Sequence, residues 1–374
     1  MPRPQVVVSV AAAPPRRGID SDTGRTFLIW PGTTGPQNPV RCRAATEATD
    51  AGIPQPYAQY VADALAEGSP EVIAVRADIA ALDAAGAQVS VWANALAKAD
   101  VATYGIGQVI IPGVASQNAH DALLAHADAT NRCVLLDGDV DSTVAELTAF
   151  AAAQEAKPGA VRAGLIAGWV SAVGTAGVDR QIPGSVIVAG LVGRRDGLLG
   201  HAGGVPAGSQ NGAGISRLAT NVSLTFTDAQ QDVLADNGIN PLVRRPGQVL
   251  LGNWRSLSAD SRWTQLQFGR LAMQIGNGAA GVLDEFLFRT IDARGQLANE
   301  IEAAVVSLLA QLEASDALYG TNGSSYRVVV SDSPADAAAG LVRVSIEAAF
   351  SKYAERLVFD VVVQQPGALT EEVA

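Results

Sequence analysis

Between Arg25 and Trp169 short apolar runs alternate with helix-like stretches, and this alternation restricts the possible folds more than any other feature of the chain. "RTFLIW" reads as a buried strand, and "PGTTGPQNPVRC" as a Gly/Pro loop running into a short strand. In "YAQYVADALAEGSPEVIAVRA" the residues Tyr57, Val61, Ala64 and Leu65 recur at helical spacing, Gly68 closes the helix, and Val72 to Val75 form the next strand. "GQVIIPG" and "RCVLLD" follow as strands around a helix from Gln117 to Ala129, then come a helix from Thr143 to Gln154 and the strand "AGLIAGW". Strands that alternate with helices favour a sheet with helices packed on it. The expected fold class is α/β with some α+β mixing.

The rest of the chain reads differently. "QIPGSVIVAGLVGRRDGLLGHAGGVPAG" carries too much glycine and proline for regular helix throughout, so a short helix inside long ordered loops is expected. In "LADNGINPLVRRPGQVLLGNWRSLSADSRW" several turn signals surround an apolar strand, Val249 to Leu251. Leu297, Ile301, Val305, Leu308 and Leu312 then form one apolar stripe on a helix that Gly320 should terminate. "SYRVVVS" and "GLVRVSIEAAF" read as strands; in the second, Val342, Val344, Ile346 and Ala348 alternate with Arg343, Ser345 and Glu347, the pattern of a sheet with one wet face. Strands are also expected at the two ends, Gln5 to Val10 and Leu357 to Val363. A chain of 374 residues suggests two domains, which we place at 23–250, whose front part packs with the rear one, and 251–355, with terminal arms at 1–22 and 356–374. No repeat of 20–50 residues is visible.

The motifs of the chemistry such a scaffold serves in enzymes are missing from the sequence. A net charge of −11 argues against a surface that neutralises phosphates, so direct nucleic-acid binding is not expected. No apolar run is long enough to span a membrane. Pro4 interrupts the start and the run Val6 to Ala13 is short, so a terminal strand is preferred over an export signal, and synthesis is placed in the cytoplasm. Cys42 and Cys133 lie far apart without metal-ligand spacing and read as buried small hydrophobes. "DGDVDSTVAEL" opens like a calcium loop at Asp137, Asp139 and Asp141 but offers Ser142 and Thr148 where glycine and a bidentate glutamate belong. It reads better as a strand end at Asp137 and a capping box from Thr143 to Glu146. No phosphate loop, nucleotide fingerprint or nucleophile elbow occurs, and no cofactor or metal is implied. His120 and His126 lie on different sides of a helix, and His201 stands alone, solvated or bonded to backbone. Arg194, Arg195 and Asp196 could bind an anion but read more simply as a salt-bridged loop. With no catalytic residues in evidence, a protein that assembles is favoured over an α/β enzyme or a tube-like virion protein.

Several stretches, in order over more than two hundred residues, resemble the contractile tail sheath proteins of myophages, pyocin-like particles and related injection machines. "FLIWPGTTGPQNPVRC" with "AGI" is similar to the family's strand and Gly-Pro loop, though Ala51 replaces a phenylalanine before Gly52. "ALAEGSPEVIAVRA" is similar to its helix, glycine turn and strand ending in an arginine, here Arg76. "IPGSVIVAGLVGRRDGLLGHAGGVPAG" matches a series of residues at Pro183, Ser185, Ala189, Gly190, Arg195, Asp196, Pro206 and Ala207. "LADNGINPLV", "GQVLLGNWRSLSADSRW" and "LQFGRL" resemble its asparagine-rich turn, glycine strand and a strand carrying Arg270; Asn253 and Trp254 depart from the pattern.

The resemblance implies a two-domain tail-sheath-like fold with extended N- and C-terminal arms and no catalysis. It implies copies stacked as a helical tube of rings around an inner tail tube, bounded by baseplate and tail terminator proteins, in a virion tail assembled in the host cytoplasm. Contraction would drive the tube through the target envelope. The arm strands, through Val6, Val8 and Val10 and through Leu357, Phe359, Val361 and Val363, would add to a sheet of neighbouring copies. The helix from Gln296 would face the tube, with Gln296, Asn299 and Glu300 as contact candidates and a mostly apolar or charge-matched surface.

Overall fold

A computed structural model describes residues 23–174, 178–209, 212, 214–292 and 294–354. The first half builds β1 (Thr26–Gly32), β2 (Val40–Cys42), α1 (Glu47–Asp50), α2 (Tyr57–Glu67), β3 (Val72–Asp78), α3 (Val89–Lys98), α4 (Val101–Tyr104), β4 (Gln108–Ile110), α5 (Gln117–Thr130), β5 (Cys133–Asp137), α6 (Val144–Ala152) and β6 (Ala163–Ala167). Then come β7 (Val170–Val173), β8 (Asp179–Ile182), α7 (Gly184–Leu199), β9 (Ala219–Val222), α8 (Asp228–Asp236), β10 (Ile239–Arg245) and β11 (Gln248–Leu251). The last part is α9 (Leu266–Asp284), α10 (Gln296–Ala314), β12 (Tyr326–Ser331), α11 (Pro334–Ala338) and β13 (Arg343–Ala348).

The main sheet has the order β11-β10-β6-β5-β4-β1-β3-β2. Its six inner strands are parallel, and β2 and β11 are antiparallel edges. Because successive side chains of a strand point to opposite faces, each inner strand feeds two cores. Leu28 and Trp30 of β1 enter one with α2 and α7, while Phe27 and Ile29 enter the other with α3 and α5. Runs apolar on both faces are what a parallel sheet covered on both sides requires. The alternation expected from the sequence therefore yields a three-layer α/β/α body, flanked by a small sheet of order β8-β7-β9.

Three expectations are corrected. The glycine-rich stretch forms α7, a regular helix of 16 residues, rather than a short helix in loops. Eleven of its side chains or glycines are buried around its whole circumference; where every face is covered, glycine's weak helix propensity is offset by close packing. A Cβ on Gly190 would stand 2.3 Å from the Cβ of Glu67, so only glycine lets α7 approach α2 this closely. "LQFGRL" is not a strand but the first turns of the 19-residue α9, so Arg270 projects from a helix. Gly320 is not the terminator of α10 either, since the helix ends at Ala314 and Asp316 takes the left-handed turn at φ 61°.

Asp137 does end β5, and Thr143 and Glu146 form the capping box of α6. Both cysteines are buried. His120 and His126 lie in the α5 layer, where burial lowers both pKa values to about 3. Burial acts oppositely on Asp137, raising it to about 6 against the hydrogen bonds from Ser185 and Gly113. The histidines' folded pKa values lie below the unfolded value near 6.5, so their contribution is complete above that pH and lost as pH falls toward 3. Asp137 works the other way, gaining stability as pH falls from about 6 toward 4. We predict that His120→Gln lowers the acid-side slope by about 1.4 kcal/mol per pH unit, read from urea midpoints of the unassembled chain between pH 4 and 6.5; an unchanged slope would show that His120 is already protonated there.

Candidate assembly site

The ends of the described chain are tied to the body at one place. Arg270 on α9 is fully buried and faces Asp196 on the last turn of α7, with Nη1 to Oδ1 at 3.0 Å and Nη2 to Oδ2 at 2.5 Å. An anion near the carboxyl end of a helix is disfavoured by the helix dipole, so Asp196 depends on that guanidinium. Arg270 also donates to the carbonyls of Ala202, at 3.1 Å, and Thr23, at 3.4 Å. The Thr23 hydroxyl donates to Asp196 Oδ2 at 2.5 Å. At the other end, the Tyr353 hydroxyl donates to the Gly203 carbonyl at 2.9 Å, and the Phe350 ring lies against Trp263 and Phe268. The segments before Thr23 and after Ala354 thus depart from roots fixed beside residues 202–203.

Asp196 and Arg270, singled out in the sequence 74 residues apart, are brought into direct contact. The salt-bridged loop expected of Arg194, Arg195 and Asp196 is instead helical, and its charges pair elsewhere: Asp196 with Arg270, and Arg194 with Glu67 at 3.7 Å while bonding the Ile215 carbonyl. Thr23, Ala202 and Tyr353 carried no sequence signal, because their partners Asp196, Arg270 and Gly203 reach them only through the tertiary fold. His201 accepts from the Gly203 N–H at 3.0 Å, the backbone-bonded alternative.

Below this joint α9, α10 and the hairpin of β12 and β13 enclose a separate apolar cluster of Leu271, Ile275, Ile301, Val305, Leu309 and Leu312. The α10 stripe faces inward as its spacing predicts, and Gln296, Asn299 and Glu300 lie on the exposed side of its first turns. Glu300 pairs with Arg289 at 2.5 Å. The exposed face also carries Glu302 and Gln311 and is polar and acidic, not apolar.

Among the described residues β12 and β13 pair only with each other, apart from one bridge between Leu318 and Phe350. The inner face, Tyr326, Val328, Val330, Val344, Ile346 and Ala348, is only half covered. Ala349 donates to the Ser325 carbonyl. By the alternation of antiparallel ladders, the N–H and C=O groups of Tyr326, Val328 and Val330 then point away from β13, toward an open edge. An isolated two-stranded ribbon is marginal in water, and an open edge beside a half-covered apolar face is a template for a further strand. The expected donor residues Val6, Val8, Val10, Leu357, Phe359, Val361 and Val363 lie outside the described residues.

The Asp137 carboxylate turns inward to the N–H groups of Gly113 and Ser185 and the Ser185 hydroxyl, away from Asp139 and Asp141. Among the described residues no group of three or more His, Cys, Asp or Glu could hold a metal, and no helix is long and apolar enough to cross a membrane.

The sequence matches no protein-family description and no curated protein. Its fold does have solved counterparts. A chain of the anti-feeding prophage baseplate superposes with a TM-score of 0.70 at 16% identity, over 98% of this chain and 100% of that one. A chain of the PVC sheath complex of an extracellular contractile injection system, in its contracted state, gives 0.73 at 14% identity over 97% and 98%. The sheath tail protein of Desulfitobacterium hafniense gives 0.57 at 12% identity over 87% and 93%. The mixed α/β fold of this chain is that of contractile sheath subunits, over nearly its whole length.

Removing one partner of a buried ion pair costs about 3–5 kcal/mol because the other charge is left dry and unpaired. We expect Arg270→Met to destabilise the unassembled chain by an amount of that order, and Arg270→Met with Asp196→Leu to recover a large part of it, in a denaturant double-mutant cycle. Independent, additive losses would show that the two side chains do not act as a pair.

Proposed function

We propose that this chain is the structural subunit of a contractile sheath, polymerising helically around an inner tube and shortening to drive that tube through a target envelope. The observation that carries the reading is the open edge and half-covered face of the β12–β13 hairpin, in a fold shared with sheath subunits. A strand with alternate apolar residues completes such a sheet: its backbone bonds the free groups of Tyr326, Val328 and Val330, and its apolar side extends their inner face. Val6, Val8 and Val10, or Leu357, Phe359, Val361 and Val363, have that period of two. A donor from a neighbouring copy makes a heterologous contact, and a heterologous contact that does not close on itself generates a helix.

On this reading residues 1–22 and 356–374 are the linking arms, 23–250 is the outer body, and 251–355 is the unit nearer the tube. Gln296, Asn299 and Glu300 are the tube-facing candidates, and the acidic surface of α10 suits a basic patch on the tube. Baseplate and terminator proteins would cap the two ends of a tail assembled in the cytoplasm of the producing cell. The joint of Thr23, Asp196, Arg270 and Tyr353 would pass load from the arms to the body.

Two measurements test the reading. Deleting residues 1–12 together with 356–374 should abolish tube growth in electron micrographs while leaving the helical circular-dichroism signal of the body; tubes that grow unimpaired would exclude arm exchange. Glu300→Lys should leave tube growth intact yet reduce co-assembly with the inner tube at least tenfold at low salt, and a normal yield of filled particles would remove α10 from the tube contact.

A further inference from the structure

The parallel strands of the main sheet point one way, so the loops after β3, β4, β5 and β6 gather along one edge. β1 lies between β3 and β4, so the crossovers leave it in opposite directions, and at such a reversal the loops part into a crevice. There a cleft of about 320 Å³ is walled by Tyr57 and Tyr60 of α2, Pro112 after β4 and Trp169 after β6, with Leu82 at the rim. Leu82 is 99% exposed. The walls are held in place: Tyr57 stacks on Trp30 at 5.8 Å, and the Trp169 indole donates to the Gly138 carbonyl at 3.1 Å. A second hollow of about 210 Å³ shares Ala115 and Asp139 with the first and is lined by Asp139, Asp141 and Glu146. Among the described residues no lysine or arginine lines either hollow. Partial burial first, and then the charges of Asp141 and Glu146, raise the Asp139 pKa.

An aromatic slot that runs into an acidic one has a definite chemical complement. Pyrrolidine rings of an extended proline segment fit the first, and guanidinium groups directly after them fit the second. This chain carries that order once, at Pro14, Pro15, Arg16 and Arg17, its only Pro-Pro pair. The segment lies before Thr23, outside the described residues.

We propose that residues Ala13 to Gly18 of one copy dock in this crevice of a second copy, the prolines against Tyr57, Tyr60 and Trp169 and the arginines toward Asp139, Asp141 and Glu146. The chain's own crevice is out of reach. From Arg17 to Thr23 an extended chain covers at most about 21 Å. Thr23 sits at the amino edge of the sheet, and the crevice opens beyond the carboxyl end of β1, whose seven residues Thr26–Gly32 alone rise about 20 Å, before the turn at Thr23 and any path around the helix layer are added. The proposal takes from the sheath reading only that copies meet. It is a second contact of different chemistry, made by side chains rather than by backbone edge pairing.

The test is a labelled peptide spanning Ala11 to Asp20, titrated into the full-length chain at dilution and followed by fluorescence anisotropy. Binding should weaken with added salt, and at least tenfold when the peptide carries Arg16→Glu and Arg17→Glu, or when the protein carries Asp139→Lys and Asp141→Lys; both residues are exposed, so folding is spared. Swapped peptide with swapped protein should regain most of the affinity. Absence of binding at millimolar peptide, or equal affinity for all four pairings, overturns the proposal. In assembled protein, Pro14→Cys with Leu82→Cys should oxidise to a ladder of linked copies, and a bond formed only within single chains would also overturn it. Peptide binding without tube growth would sink the sheath reading and leave this contact standing; tubes with charge-indifferent peptide binding would do the reverse.

Discussion

The buried pair of Asp196 and Arg270 is the constraint on which the rest of the structure depends. Two charges removed from water lose several kcal/mol of hydration each, and their attraction compensates only where the geometry is good and the remaining donors are satisfied. Here the fork of Arg270 meets both carboxylate oxygens and reaches the carbonyls of Ala202 and Thr23. That arrangement exists only if α7, α9, the loop between α7 and β9, and the entry to β1 hold fixed relative positions. A greasy contact would tolerate sliding by an ångström, whereas a dry bidentate pair does not. The pair therefore works as a register pin between the sheet body and the helical unit that carries the open hairpin. Tyr353 closes the same joint from the other end of the chain.

How much of this was legible from sequence follows from which physical signal each element emits. β1, β3, β4, β5 and β6 are short apolar runs between turn residues, and a parallel sheet covered on both faces asks for nothing else. α10 is wet on one side and dry on the other, so its stripe is visible at steps of three and four. α7 emits no such signal. It is buried almost all round, so periodicity vanishes, and its glycines read as breakers although they serve as contact surfaces; the strand expected at "LQFGRL" came from the resemblance and not from the spacing of α9. Propensity scales describe a helix in water; inside a body, what a glycine removes from a neighbour's path outweighs what it costs in backbone freedom.

The assembly site was legible in part for the same reason. The alternation through Arg343–Ala348 announced a sheet with one wet face, and the hairpin has it. That among the described residues the dry face is only half covered and an edge has no partner strand depends on what α10 and α9 do not reach, which no local pattern encodes. Arg270 and Asp196 could be picked out singly, but their meeting depends on the path of two misread helices. The crevice is harder still, because Tyr57, Pro112, Asp139 and Trp169 converge only through the loops of parallel strands. Topology, not spacing, places them together.

A subunit that is to shorten a tube needs contacts that persist while neighbours rotate, and the two kinds of contact here divide that requirement. Within the chain, the register pin and the two cores of the sheet make the body stiff, so motion cannot be absorbed by deformation inside a copy. Between copies, on the proposed reading, an added strand is held by backbone bonds at its own site but joined to its parent by an extended linker, so the link survives changes of angle that would shear a flat interface. Such a lattice needs no nucleotide: a preference of a few kcal/mol per copy for the shorter packing, multiplied along the tube, supplies the work. The extended form must then be trapped by contacts outside the lattice itself. On the proposed reading the acidic outer turns of α10 would take that role, because charge-matched contacts with the tube would hold many copies weakly and be lost in sequence as each ring turns away.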